Sequence, residues 1–173
     1  MYIIGILILT VAGGVQPNMY KKILVPMDGS ELAEAILPHV AQLAALYEAQ
    51  ILFLQVFQLS HSALLPRRDE QDYQALPQVG QDELQKQFDI AQAYLNARVA
   101  ATIEQGIPAR SRVAYGPVPA TIINVATEEH VDLIAMASHG ASGLQGVYYG
   151  SVAAGVLQRV DRPLLIVRSH DSR

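Results

Sequence analysis

The sequence predicts a single doubly wound α/β domain, and three observations point to it. Apolar runs of strand length alternate with segments of helical periodicity from Met19 onward. The stretch Asp132 to Val167 reads as strand, glycine-spaced loop, helix and second strand in unbroken succession. At 173 residues the chain is long enough for one domain with a sizeable core and short for two.

Taken in order, Ile23 to Val25 is a short apolar strand, expected to end at Pro26. Ser30 is placed to cap a helix reaching about Glu48, with Leu32, Ala35, Ile36, Val40, Leu43 and Leu46 in helical spacing and Pro38 as a kink. Ile51 to Phe57 is the second strand, apolar almost throughout and so expected to be buried on both faces. The connection Gln58 to Gly80 holds Pro66, Pro77 and a run of charges from Arg67, a length at which connections commonly serve as lids. A helix from about Asp82 to Gln105 follows, closed by Gly106 and Pro108. The third strand is Ala109 to Tyr115, and Gly116 and Pro117 open a helix over Val118 to Glu129. Leu133 to Ala137 and Leu164 to Val167 are the fourth and fifth strands, with the glycine loop and a helix between them.

Residues 1–18 stand apart from this pattern. Met1 to Val15 is apolar but too short and too glycine-broken for a membrane span, which takes about 20 apolar residues. The basic pair Lys21 and Lys22 follows the apolar stretch, where a signal peptide would have its charge first. The expectation is an apolar extension, either an assigned start upstream of Met19 or an accessory tail, ahead of a domain at 19–173. Neither a targeting segment nor a membrane association is expected, and a cytoplasmic location is.

The loop from Ser138 to Gly150 carries Gly140, Gly143, Gly146 and Gly150, and Ser151 is placed to cap the helix behind it. Glycines let backbone N–H groups turn toward an anion, and a helix start adds unpaired donors and partial positive charge. The expected ligand is therefore a nucleotide phosphate chain. From Ala137 to Ser151 there is no Lys, Arg, Asp or Glu, so neither a P-loop lysine nor a dinucleotide fingerprint is present. Backbone dipoles and a magnesium or manganese ion would then hold the phosphates, which suits binding better than fast turnover. The formal net charge of -4 argues against nucleic acid, and the absence of cysteine excludes disulfides, thiolate metal sites and cysteine nucleophiles.

In doubly wound sheets ligands bind beyond the carboxyl ends of neighbouring strands whose connections diverge. Were the first and fourth strands those neighbours, Asp28 and Gly140 would face each other across the crevice. At this point MYKKILVPMDGS, ILFLQV, DLIAMASHGASG and GSVAAGVLQRVDRPLLIV, in that order, resemble the universal stress protein family over Met19 to Arg168. Its nucleotide-binding members carry G-x2-G-x9-G-[ST]; here Gly140, Gly150 and Ser151 match and Ala137 replaces the first glycine. The resemblance implies that Pro26, Asp28 and Val56 border the adenosine, Asp28 on a ribose hydroxyl and the Val56 backbone on the adenine edge. It implies that Met136 and Ala137 line the sugar, that His139, Gly140, Gly150, Ser151 and Val152 surround the phosphates, and that the chain forms a homodimer through Leu164 to Val167. Gly143 is a further phosphate-contact candidate or simply part of a long loop. The expected sheet is five-stranded and parallel, ordered 3-2-1-4-5, with helices on both faces.

Blander roles stand beside these. Asp28 could shape the turn into the first helix. His139 has no nucleophile and orienting acid tied to it by spacing, so a loop or phosphate-adjacent role is expected over catalysis. Tyr148 and Tyr149 are expected to pack on the sheet. The function so read is a stress-response regulator binding ATP or a related adenine nucleotide, with at most slow hydrolysis or autophosphorylation. The alternative is a dimeric adaptor that has lost nucleotide binding through Ala137 and acts through an unidentified protein partner. The fifth strand, apolar and followed by no further element, is expected to present an exposed apolar edge.

Overall fold

The structure, a computed structural model, describes residues 19–58, 78–139 and 149–168, with the backbone alone for 78–84. The apolar extension at 1–18 and most of the long connection after Gln58 lie outside the described residues. The elements are β1 (Lys22–Met27), α1 (Glu31–Glu34), α2 (Leu37–Tyr47), β2 (Gln50–Phe57), α3 (Gln78–Glu104), β3 (Ala109–Tyr115), α4 (Val118–Glu128), β4 (Leu133–Ala137), α5 (Ser151–Leu157) and β5 (Leu164–Val167). The strands form one parallel five-stranded sheet in the order β3-β2-β1-β4-β5, as expected.

Alternation along each strand divides the core into two layers. Ile23, Val25, Ile51, Phe53, Leu133, Ala135 and Leu165 meet Ile36 just before α2, Val40 and Ala44 of α2 and Leu95 of α3. Leu24, Leu52, Leu54, Ile134, Met136, Leu164 and Ile166 meet Ile122 and Val125 of α4 and Ala153 and Val156 of α5. Each buried Leu or Ile contributes about 1.5–3 kcal/mol by leaving water, which is why helices must cover both faces of so apolar a sheet.

Three local expectations are corrected. The helix expected over 30–48 is two: α1 ends at its cap Ala35, and α2 starts after Ile36 with Pro38 in its first turn. The proline ring cannot follow the carbonyl four residues back, so Pro38 begins a helix instead of kinking one. β1 does not stop at Pro26 but runs to Met27, with Pro26 in register with Leu54 of β2. Its pairing with β4 covers Ile23 and Leu24 only, so these two strands part company before the residue that has no N–H to give. The apolar residues of β5 are not exposed: all four are at most 7% accessible, although no strand pairs beyond β5 among the described residues.

The amino ends of the strands are tied by charge. Asp132 Oδ2 accepts from the N–H groups of Lys21 and Lys22 at 2.8 and 2.9 Å, joining the start of β4 to that of β1. Glu129, just after α4, pairs with Arg110 and Arg112 of β3 and with Lys22 of β1. The Arg110 hydrogen bond holds the Glu129 carboxyl below the usual carboxylate range.

Candidate functional site

At the other end of the sheet β1 runs into Asp28, Gly29 and Ser30. Gly29 has φ 82°, the left-handed conformation that glycine takes without strain and that turns the chain back toward α1. Asp28 Oδ1 accepts from the Ser30 N–H at 3.0 Å and from the Ser30 hydroxyl at 2.6 Å. Ser30 Oγ in turn accepts from the Ala33 N–H at 3.1 Å, the expected helix cap. Asp28 therefore does shape the turn, and its exposed carboxylate also stands at the mouth of the crevice.

β4 leads into Ser138 and His139. The Ser138 N–H donates to the Val167 carbonyl at 2.8 Å, continuing the β4–β5 ladder one residue past the strand. Ser138 Oγ and His139 Nδ1 lie 3.0 Å apart, and His139 Nε2 is buried with no partner among the described residues. Gly150 donates its N–H to the Ser138 carbonyl at 2.8 Å and accepts from the Ala154 N–H at 3.0 Å. Gly150, with extended backbone, is thus the cap residue of α5, and Ser151 is its first helical residue. This corrects the expected capping role of Ser151: no side-chain hydrogen bond caps α5, and the Ser151 hydroxyl stands exposed at its first turn.

Between these two ends lies a cavity of about 250 Å³, just under the range of about 300–1,000 Å³ typical of ligand pockets. It brings together Pro26 and Asp28 from the end of β1, Val56 from β2, and Met136, Ala137 and His139 from β4 and beyond. Gly150, Ser151 and Val152 close it from the start of α5. Gly140 and Gly143, with Gly146 and Tyr148, lie outside the described residues. Tyr149 packs on the α4 and α5 side of the core, as expected.

The sequence reading missed Ala33 of α1, Leu54 of β2 and Val118 and Ile122 of α4, which make much of the apolar wall. Val118 and Ile122 recur one helical turn apart, a spacing that marks core and cavity wall alike. Polar groups are few: Asp28, Ser138, His139 and Ser151, with no Lys or Arg among the described lining residues. The described residues also hold no cluster of three or more His, Asp or Glu side chains suited to a metal. No helix among them is long and apolar enough to cross a membrane.

An open parallel sheet with a cleft at its switch point is the architecture of a ligand-binding α/β domain. Residues 19–168 match the universal stress protein family, and the chain belongs to it. It is 28% identical over 153 residues to universal stress protein MJ0531 of Methanocaldococcus jannaschii, covering 87% of this chain and 84% of that protein. It is 31% identical over 152 residues to universal stress protein YxiE of Bacillus subtilis, covering 87% of this chain and 100% of that one. Among solved structures, MJ0577 of Methanocaldococcus jannaschii superposes with a TM-score of 0.76 at 27% identity, over 89% of this chain and 99% of that one. UspA of Lactobacillus plantarum has the same fold, with a TM-score of 0.70 at 21% identity over 86% of this chain and 98% of that one.

Proposed function

We propose that this universal stress protein is a cytoplasmic regulator that binds ATP or a related adenine nucleotide in the cleft between β1 and β4. The observation that carries the reading is the cleft itself: apolar walls for a base, Asp28 at one rim, and the first turn of α5 at the other. In this reading Asp28 takes a ribose hydroxyl, the Val56 backbone meets the adenine edge, and Met136 and Ala137 flank the sugar. His139, Gly150, Ser151 and Val152 lie toward the phosphates. The buried Nε2 of His139, without a partner among the described residues, suits a ligand atom as its partner. With no cationic side chain among the described lining residues, a magnesium or manganese ion carried by the nucleotide would neutralise the phosphates.

Two proteins of this fold have been solved with adenine nucleotides: a universal stress protein with cAMP, at 20% identity, and one from Archaeoglobus fulgidus with dAMP, at 18%. At those identities the likeness is one of fold, and it supports adenine nucleotides as ligands that this architecture can hold. The same reading includes a homodimer paired along β5. A second reading, a dimeric adaptor without nucleotide, is favoured by one observation: Ala137 places its methyl group on the cleft lining.

Mass spectrometry of the nucleotide released from denatured protein, with calorimetry against Mg-ATP, separates the two. Released adenine nucleotide, or a dissociation constant near micromolar, about -8 kcal/mol, is the expected result. No release and no heat at millimolar Mg-ATP would establish the adaptor reading instead.

A further inference from the structure

α1 has four residues, far too few to hold helical form without anchors. Its start is fixed by the Ser30 cap and by the Asp28 carboxylate behind it. Its last residue, Glu34, is held from across the layer by α3: the Tyr94 hydroxyl donates to Glu34 Oε1 at 2.9 Å, and Arg98 Nη2 lies 3.1 Å from the same oxygen. The Arg98 guanidinium stacks over the Tyr94 ring at 5.4 Å, so the two donors, one turn apart on α3, brace each other. Neither Tyr94 nor Arg98 lines the cleft, whereas Asp28 and Ala33, on the segment they fasten, both do. Burial, the Glu34 hydrogen bond and, among lesser causes, the charge of Asp28 all push the Tyr94 hydroxyl pKa up, which keeps it a donor at any physiological pH.

We propose that Tyr94 and Arg98 are positioning residues of the nucleotide cleft: by fixing Glu34 they fix α1, and with it the orientation of the Asp28 carboxylate and the Ala33 wall. The inference rests on the reading of the cleft as a nucleotide site. It makes α3 a lever on that site, because any shift of α3 along the sheet is passed through one carboxylate to the rim that faces the ribose.

The test is a double-mutant cycle in Mg-ATP affinity, with Tyr94→Phe and Asp28→Asn in the full chain, each variant checked by thermal melting. Tyr94→Phe keeps the ring and its packing and removes only the hydroxyl. It should weaken binding roughly 3- to 10-fold, the scale of one hydrogen bond. The loss should shrink once Asp28 is Asn, because the clamp then orients a group that no longer binds as a carboxylate. In amide NMR spectra of the nucleotide-free protein, Tyr94→Phe should shift the Ser30 and Ala33 resonances. A parent that binds while Tyr94→Phe binds equally well, or a cycle whose losses simply add, overturns the positioning role and leaves the cleft reading intact. A parent that binds no nucleotide overturns both.

Discussion

The Gly150 N–H donates to the Ser138 carbonyl at 2.8 Å, so the residue that opens α5 is fastened to the residue that leaves β4. A Cβ on Gly150 would stand 3.4 Å from that carbonyl oxygen and 3.7 Å from His139 Cα, ordinary contact distances that leave no room to spare for a branched side chain. The backbone of Gly150 is one that any residue can adopt, with φ -64°, so neither conformation nor the space for a Cβ asks for glycine here, and only a larger side chain would crowd its neighbours. Its N–H is already used, and the first three helical N–H groups, those of Ser151, Val152 and Ala153, have no partner within the helix.

Gly150→Ala is therefore expected to fold normally and to keep nucleotide affinity, while Gly150→Val crowds Ser138 and His139. The valine variant should lose about 1–3 kcal/mol of stability through overpacking and bind Mg-ATP markedly less well. Urea melts and calorimetry on both variants check this. Parent-like binding by the valine variant would show that the phosphates do not pass this rim.

Asp28→Asn tests the other rim. A charge-assisted hydrogen bond to a ribose hydroxyl contributes about 1.5–3 kcal/mol, so affinity should fall by roughly tenfold or more. The asparagine oxygen can still accept from Ser30, so the turn is kept and stability should change little. Unchanged affinity would mean that the carboxylate serves the turn alone.

Much of this architecture was legible in the chain because both faces of the sheet are buried. Runs such as Ile51 to Leu54 or Leu133 to Ala137 admit few readings other than buried parallel strands. The cleft's rims were legible too, since Asp28 and His139 lie within two residues of a strand's end and chain position alone puts them at the carboxyl end. What the sequence could not tell was set by contacts distant in the chain. Pro38 reads as a kink until the break at Ala35 and Ile36 shows it opening a new helix. Ser151 reads as a cap until the Gly150 bond to Ser138 moves the helix boundary by one residue. The apolar walls supplied by Val118 and Ile122 are indistinguishable from core by spacing, and the Glu34 to Tyr94 bond spans a separation of 60 residues that no local pattern records.

Glu129 gives a pH-dependent prediction at the opposite end of the sheet. Its carboxyl titrates below the ordinary value because of Arg110, so the folded state gains stability from its ionised form. That gain is full above the ordinary carboxylate pKa, about 4.3, and is lost as pH falls through the depressed folded value. The side chain is 20% exposed and bridges β1, β3 and α4, so solvent screens it only in part. Glu129→Gln should cost about 1–3 kcal/mol at neutral pH and progressively less in acid. Urea unfolding of parent and variant across that range reads the difference; a gap that stays constant with pH would show that the charge is not what matters.

Ala137 stands where the resemblance to the family's nucleotide-binding members implies a glycine. Ala137→Gly is expected to tighten Mg-ATP binding by relieving contact with the ribose. The gain must exceed the cost of glycine's freedom in the unbound strand, about 0.5–1 kcal/mol. Calorimetry that finds equal or weaker binding would show that the methyl group is tolerated, and that the replacement says nothing about function.

The last prediction concerns the open edge of β5. The carbonyls of Pro163 and Val167 accept from the N–H groups of Ile134 and Ser138, so these residues turn their backbone groups toward β4. Alternation then turns the N–H and C=O of Leu164 and Ile166 outward, to an edge with no strand beyond it among the described residues. A row of this kind can pair with another copy of itself, which is the basis for the proposed homodimer. Ile166→Pro removes an outward N–H while leaving the β4 bonds of its neighbours in place, and should move the protein from dimer to monomer. Light scattering at high micromolar concentration reads the mass, and circular dichroism checks that the variant is folded. A monomeric parent removes the proposal. A folded, dimeric proline variant would move the contact to another surface.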